Sequence, residues 1–88
     1  MTIYKYPIKL TDSQKVKLPI NAEILTAQMQ DDTLCLWAKV EESNTSMEER
    51  IIDIFGTGCP ISDEHRRYIG TTQMHGGALI WHVFERFM

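Results

Sequence analysis

Histidines are the side chains in this chain whose type best suits metal binding or acid–base catalysis. If Gly76-Gly77 forms a hairpin loop, Thr71 faces His82, and His75 lies on the same face as His82. The two imidazoles are then separated by about four residues along the ladder, or roughly 13 Å at ~3.4 Å per residue. One metal ion cannot bridge that distance, and nothing in the sequence places His65 beside either ring. The spacing therefore predicts satisfied or solvent-exposed histidines.

The two cysteines are the candidate nucleophiles. Cys35 lies in the middle of a predicted strand with no signal for a neighbouring base, whereas Cys59 lies in a glycine loop before Pro60. A reactive thiolate at Cys59 would need a nearby cation or a favourable backbone dipole. The pair also lacks the close spacing of a zinc knuckle. We therefore expect a protein that is not an enzyme and that holds no metal and no cofactor.

The segment Gly56-Thr57-Gly58 is the candidate ligand loop. It matches a fragment of the dinucleotide fingerprint, but the third glycine is missing and Pro60 stands where a helix should begin. Positive φ in a turn is a simpler reason for such glycines. Backbone amides of such a loop can still bind an anion. Gly56, Gly58 and Cys59 are therefore the predicted residues of a ligand loop, with a structural turn as the alternative.

Trp37 and a following acidic segment form the candidate surface for binding another protein. Trp37 falls on the polar face of its predicted hairpin, and a solvent-facing tryptophan often marks an interface. The alternative is that the strand over 3–10 or the last strand covers it. Residues 41–49 are polar and acidic, and acidic patches complement basic nucleic-acid channels. The predicted interface residues are Trp37, Glu41, Glu42, Glu48 and Glu49.

Length, charge and composition limit the classes of protein to consider. The 88 residues predict one globular β domain over 1–88, and a homodimer interface could supplement its small core. The net charge of −3 argues against direct nucleic-acid binding. No run approaches the ~20 apolar residues of a membrane span, and no signal-peptide pattern opens the chain. Two cysteines are few for a small secreted domain. We expect a cytosolic protein.

Two apolar runs around Asp31-Asp32 give the clearest structural signal. A two-residue loop there pairs Met29 with Leu34 and places six apolar side chains on one face, the predicted core. A longer loop is the alternative, because Asp-Asp is a poorer primed turn than Asn-Gly. From the loop outward, the pairs are Met29 with Leu34, Ala27 with Leu36, and Leu25 with Ala38. The opposite face then carries Thr26, Gln28, Cys35, Trp37 and Lys39.

Further short strands complete the predicted fold. Gly76-Gly77 predicts a second hairpin between strands over 67–74 and 78–87. Pro7 makes the segment 3–10 an edge strand or the bend between two short strands. Ser46 and Glu49 predict at most one helical turn. With shorter strands over 15–18 and 50–55 and no sustained 3.6-residue period, the chain is predicted to be all-β. We expect about seven strands in a small antiparallel sandwich or barrel, with less than about a fifth of residues helical.

Seven short motifs occur in order along most of residues 3–85: Tyr4-Lys5-Tyr6-Pro7, Leu18-Pro19, Ala22-Glu23-Ile24-Leu25, Leu34-Cys35-Leu36-Trp37-Ala38, Gly56-Thr57-Gly58, Tyr68-Ile69-Gly70-Thr71 and Trp81-His82-Val83-Phe84-Glu85. Taken together they resemble a small family of uncharacterised proteins of tailed phages and prophages. Members of that family often carry histidine where this chain has Cys59. The resemblance implies a phage origin and a location in the host bacterial cytoplasm, and it carries over no catalytic residues.

We therefore expect a small phage-encoded protein that binds a host protein, with an anti-CRISPR-type inhibitor of host defence as the leading case. Its target would include a basic nucleic-acid-binding surface. Two alternatives stay open. One is a small-ligand-binding β module that uses the loop 56–60 with Tyr68 or Trp81, and the other is an accessory protein of virion assembly.

Overall fold

Seven antiparallel strands in two sheets form the computed structural model, which describes residues 1–87. The three-stranded sheet A has the order β1-β4-β3, and the four-stranded sheet B has the order β2-β5-β7-β6. The sheets do not close into a barrel, so the all-β prediction is confirmed as a sandwich. The strands are β1 (Thr2–Pro7), β2 (Ser13–Pro19), β3 (Glu23–Gln30), β4 (Thr33–Val40), β5 (Met47–Gly56), β6 (Arg66–Met74) and β7 (Leu79–Arg86).

The first hairpin forms around Asp31-Asp32 as predicted. Met29 pairs with Leu34 and Ala27 pairs with Leu36. The first loop residue has a φ of 55°, a left-handed conformation that a two-residue hairpin loop requires and that aspartate tolerates. The loop and the first part of the ladder are therefore confirmed.

Beyond Ala27 the predicted register is wrong, because β3 contains a bulge. Ile24, and not Leu25, pairs with Ala38. Leu25 is the extra residue and is 40% exposed, whereas Ile24 is buried in the core. A bulge sets two residues of one strand against one of its partner and so shifts the alternation by one position. Ile24 and Leu25 are both apolar, so composition alone could not indicate which of them faces inward.

The core lies between the two sheets, which approach most closely where β3 contacts β6. Gly70 of β6 faces the backbone of β3, where a Cβ atom on Gly70 would lie at contact distance, 3.4 Å, from the backbone N and O of Ala27. Both sheets contribute buried apolar side chains. They include Leu18, Ile24, Ala27, Leu34, Leu36, Ala38, Val40, Ile52, Ile54, Ile69 and Val83.

The second hairpin keeps its predicted register from Met74 back to Gly70, with Thr71 opposite His82. A bulge between Tyr68 and Gly70 shifts the pairing of the rest of β6 by one residue, so there the predicted register is wrong. The turn of this hairpin is a three-residue 3-10 turn at His75–Gly77, so the ladder ends at the pair Met74 and Leu79. Within residues 1–87 this turn is the one helical element, which confirms the prediction of low helix content. The helical turn predicted between Ser46 and Glu49 is replaced by β5, which begins at Met47 and pairs with β2.

The connection 57–65 runs the length of sheet B, because β5 and β6 are parallel and lie on either side of β7. A cluster of ion pairs centred on the buried Asp53 holds this connection in place. Arg66 donates from Nε to Asp53 Oδ2 at 2.8 Å and from Nη1 to the carbonyl of Ser62 at 2.7 Å. Arg86 donates to the same Asp53 oxygen at 2.9 Å and lies 3.2 Å from Glu64. These contacts tie the connection to the outer face of sheet B.

Asp53 should make the stability of the protein depend on pH in acid. Burial alone would raise the pKa of Asp53, but hydrogen bonds from Arg66 and Arg86 hold that pKa below its ordinary 3.8. A carboxylate with a lowered folded-state pKa contributes stability above its unfolded pKa and loses it as the pH falls through the folded value. Asp53→Asn should therefore cost about 1.5–3 kcal/mol at neutral pH and flatten the acid dependence. Urea unfolding at stepped pH measures both, and parallel pH curves for the two proteins would contradict the assignment.

Candidate functional site

Trp37 lies at the centre of the outer face of sheet A. It belongs to the middle strand β4, with Lys5 of β1 on one side and Thr26 of β3 on the other. Its neighbours in sequence, Leu36 and Ala38, are buried in the core, so strand alternation turns Trp37 away from sheet B. Neither the first nor the last strand covers it, because β1 lies beside β4 in the same sheet and β7 belongs to sheet B. Trp37 is half-buried.

Apolar and charged side chains surround Trp37. Ile3 and Leu25 are exposed apolar residues of β1 and β3. Lys39, opposite Ile3, forms an ion pair with Glu23 at 3.2 Å. We call this surface the Trp37 face; it comprises Ile3, Lys5, Glu23, Leu25, Thr26, Trp37 and Lys39. It combines an apolar centre with a charged margin, the arrangement found in protein interfaces.

Cys35 is the buried exception on this side of sheet A. It pairs with Pro7 and Gln28, and its position in β4 is on the same side of the strand as Trp37, as predicted. Its side chain is nevertheless buried, and its Sγ lies 3.7 Å from the carbonyl of Thr33. Buried cysteines of this kind are usually inert and serve a structural role.

Glu41 and Glu42 lie at the end of β4, at one margin of the Trp37 face. Glu42 accepts a hydrogen bond from the Thr2 hydroxyl and lies 3.2 Å from the amino group of Met1. The Thr2 hydroxyl and the amino terminus together lower the pKa of Glu42. Glu41 accepts hydrogen bonds from the backbone and side chain of Ser43. Glu42 is therefore held beside the start of β1, whereas Glu41 is held within the loop that follows β4.

Glu48 and Glu49 lie in the other sheet. Glu48, opposite Leu18 in β2, is half-buried and accepts a hydrogen bond from the backbone N–H of Asn21 at 2.9 Å. Glu49 lies opposite Lys17 and faces the opposite way along β5. The structure therefore does not gather the four predicted glutamates around Trp37. The sequence suggested one acidic loop because nothing in it showed that β5 begins at Met47.

The predicted ligand loop lines a cavity beside Trp81. Gly56, Cys59 and Pro60 contribute to a cavity of about 350 Å³. A Cβ built on Gly56 would lie 3.5 Å from Cys59 Sγ and 3.7 Å from the Trp81 ring. Gly58 has a φ of 89° and supplies the turn. The structure thus brings Gly56 and Cys59 together with Trp81, and it places Tyr68 elsewhere, in β6.

A chain of hydrogen-bonded side chains on the outer face of sheet B was not predicted. Thr57 Oγ1 lies 2.7 Å from His82 Nε2, and His82 Nδ1 lies 3.1 Å from Thr71 Oγ1. Thr71 Oγ1 in turn lies 2.6 Å from the hydroxyl of Tyr68. We call these four residues the His82 cluster. The predicted pairing of Thr71 with His82 was the one signal for it, because Thr57 joins only through the pairing of β5 with β7.

Aromatic rings continue the outer face of sheet B next to the His82 cluster. The Tyr68 ring packs against Phe84 at 5.5 Å between centroids, and Phe84 packs edge-on against Phe55 at 5.9 Å. Such edge-to-face pairs contribute about 0.5–1.5 kcal/mol beyond the area they bury. They hold β5, β6 and β7 in a defined arrangement, and with them Thr71, His82 and the turn at Thr57 that follows β5.

The other histidines lie apart from His82. His65 packs its ring against Phe87 at 5.4 Å, and His75 is exposed in the hairpin turn. Across residues 1–87, no three histidine, cysteine, aspartate or glutamate side chains are arranged to hold a metal ion. The same part of the chain has no helix long and apolar enough to cross a membrane.

Comparison with known proteins assigns the chain to a family. The family described as "Domain of unknown function (DUF7352)" matches residues 1–87. The chain belongs to the DUF7352 family. No curated protein and no solved structure matches it. The family match spans the strands of both sheets. It assigns no function to the Trp37 face, the ligand loop or the His82 cluster. The phage origin stays a prediction.

Proposed function

We propose that this DUF7352 protein acts by binding another protein through the Trp37 face. The observation that carries the proposal is a half-buried tryptophan at the centre of an open sheet face. Tryptophan in a central position is the residue type most enriched among binding hot spots. Exposed Ile3 and Leu25 extend the apolar area around it, and charged side chains form its margin.

The partner in this proposal is a host protein with an apolar pocket beside a basic patch. Trp37 would fill the pocket, and Glu41 and Glu42 at the end of β4 would face the basic patch. Charges at the margin of an interface mainly speed association. The phage resemblance favours an inhibitor of host defence, of the anti-CRISPR type, acting in the host bacterial cytoplasm. Such an inhibitor works by occupying a surface and needs no chemistry of its own.

Trp37→Ala should weaken binding to the partner by more than about thirtyfold, which corresponds to the loss of a hot spot of about 2 kcal/mol or more. The test is affinity capture from host lysate with the wild-type protein, followed by binding kinetics of the variant against the captured partner. Melting curves of both proteins run alongside, because the proposal requires that the variant stay folded.

Tyr68→Ala is the matched control for this experiment. Tyr68 is also an exposed aromatic residue, at 56%, but it lies on the outer face of sheet B. The Tyr68→Ala variant should bind the partner with the same affinity as the wild-type protein. If Tyr68→Ala weakens binding more than Trp37→Ala, the interface lies on sheet B and the proposal fails. Unfolding of Trp37→Ala would show that Trp37 is a core residue.

A small-ligand-binding module is the second candidate. The cavity shared by Gly56 and Cys59, with Trp81 beside it, favours this function. A ligand there would change the fluorescence of Trp81, which can be observed alone in a Trp37→Phe variant. Saturable quenching by one compound of a metabolite panel would support the ligand module, and binding of the protein partner would be unaffected by that compound.

A further inference from the structure

We propose that Thr57 and His82 form a nucleophile–base pair that hydrolyses esters with a short apolar acyl group. The distance of 2.7 Å between Thr57 Oγ1 and His82 Nε2 lies in the range of about 2.6–3.2 Å found for activated nucleophiles. Thr57 is exposed and His82 is half-buried, so a substrate can reach the hydroxyl while sheet B holds the imidazole. This activity is separate from the Trp37 face.

The other nitrogen of His82 is held by a third group, as a catalytic base requires. Nδ1 lies 3.1 Å from Thr71 Oγ1, which lies 2.6 Å from the Tyr68 hydroxyl. In the tautomer that catalysis needs, Nδ1–H donates to Thr71 and Nε2 accepts from Thr57. Thr71 is therefore a positioning residue. Its partner Tyr68 fixes the orientation of the Thr71 hydroxyl.

An apolar cavity next to Thr57 indicates the kind of acyl group. Thr57 shares a cavity of about 290 Å³ with Leu79, Ile80 and Trp81. This is just below the ~300–1,000 Å³ range of ligand pockets, which suits an acyl chain of a few carbons. Apolar side chains there offer no charge to bind a carboxylate or a phosphate. A short fatty acyl ester fits this lining.

The turn after Thr57 leaves room for a substrate. Apart from Gly58 itself and its chain neighbours Thr57 and Cys59, no atom lies within 4 Å of the position where a Cβ of Gly58 would be. Gly58 follows the nucleophile directly, and in α/β-hydrolases the backbone N–H at that position contributes to the oxyanion hole. The neighbouring N–H of Cys59 is already used, since it donates to the carbonyl of Gly56 at 3.1 Å.

The reaction uses only the ester and water. Thr57 Oγ1 forms a bond to the carbonyl carbon while His82 Nε2 takes its proton. The bond to the leaving alcohol then breaks, and the alcohol receives that proton. Water attacks the acyl-threonine with His82 again accepting a proton, the bond from Thr57 to the acyl carbon breaks, and Thr57 regains its proton as the acid is released.

The test measures the rate at which the whole protein hydrolyses p-nitrophenyl butyrate. That rate is compared with the rate for p-nitrophenyl palmitate. Thr57→Val keeps the shape of the side chain but removes the hydroxyl, and His82→Gln removes the base. Each should reduce the protein-dependent rate by about a hundredfold or more, and Thr57→Ser should retain activity. Mass spectrometry of the quenched reaction should find the butyryl group on Thr57.

His75→Gln is the matched control, because exposed histidines hydrolyse nitrophenyl esters non-specifically. It should leave the rate unchanged. Thr71→Val should lower kcat with little change in KM and alter the pH profile of kcat, which a purely structural contact would not do. Equal rates for wild type and Thr57→Val, or a loss with His75→Gln, would overturn the proposal.

Folding is checked separately. The hydrogen bond between Thr57 and His82 could serve only to hold the turn after β5. In that case Thr57→Val lowers the melting temperature, and the wild type hydrolyses the ester no faster than His82→Gln. That result would overturn the proposed activity and favour the sequence-based prediction of a non-enzyme. It would leave the proposal for Trp37 unaffected, since that surface lies on the other sheet.

Discussion

Replacing Arg50 with methionine should lower the free energy of unfolding by about 3–5 kcal/mol. Arg50 extends from β5 and donates to Glu85 of β7 through both Nε and Nη2, the latter at 3.0 Å. It also donates from Nη1 to the carbonyl of Ala22 at 2.8 Å. Glu85 is 3% exposed, so without Arg50 its buried carboxylate loses its ion-pair partner. Urea unfolding at neutral pH measures the loss.

The double variant Arg50→Met/Glu85→Leu is the control for this ion pair. Apolar residues in place of both charges often restore or exceed the original stability, because the desolvation cost of the charges is removed as well. The double variant should therefore be more stable than Arg50→Met, with a coupling energy of about 0.5–3 kcal/mol in the cycle. If the losses of Arg50→Met and Glu85→Leu add up to the loss of the double variant, the two side chains do not act as one unit.

Leu36→Ala should cost about 2–5 kcal/mol, because it removes buried methyl groups and leaves a cavity. Leu36 lies in the middle strand of sheet A and is 0% exposed. Lys39→Ala, on the other face of the same strand, should cost less than about 0.5 kcal/mol. Its ion pair with Glu23 is exposed, and exposed pairs contribute little. Urea unfolding of both variants makes the comparison.

Leu25→Ala adds a direct test of the bulge. In the register predicted from sequence, Leu25 faces the core and its truncation would cost as much as that of Leu36. In the structure Leu25 is an exposed bulge residue and Ile24 takes the core position. Leu25→Ala should therefore cost well below half of the loss seen for Leu36→Ala. Equal losses would show that the bulge is misplaced.

Local patterns predicted the first hairpin well as far as Ala27. The turn at Asp31-Asp32 and the alternation of apolar residues act over a few neighbouring positions, and each of them constrains the same register. The pairing of Thr71 with His82 followed in the same way from the glycine turn. The bulge at Leu25 was missed because Ile24 and Leu25 are equally apolar, and the choice between them depends on how β3 packs against sheet B.

The acidic surface shows where local patterns fail. Four glutamates close together in sequence suggested one patch beside Trp37. The structure places Glu41 at the end of sheet A and Glu49 in sheet B, because β5 begins at Met47 and pairs with β2. The strand that pairs with β5 is decided by the burial of side chains across both sheets. A stretch of a few residues does not specify that packing.

By itself, the sequence determined the all-β class, the two hairpin turns and the outward direction of Trp37, because each of these follows from alternation and turn chemistry over short stretches. Only the tertiary structure decided the strand order and the contacts that depend on it. Thr57 reaches His82, and Arg50 reaches Glu85, because β7 pairs with β5. Those partners lie 25 and 35 residues apart in the chain, and such long-range pairing is set by the packing of the whole sandwich.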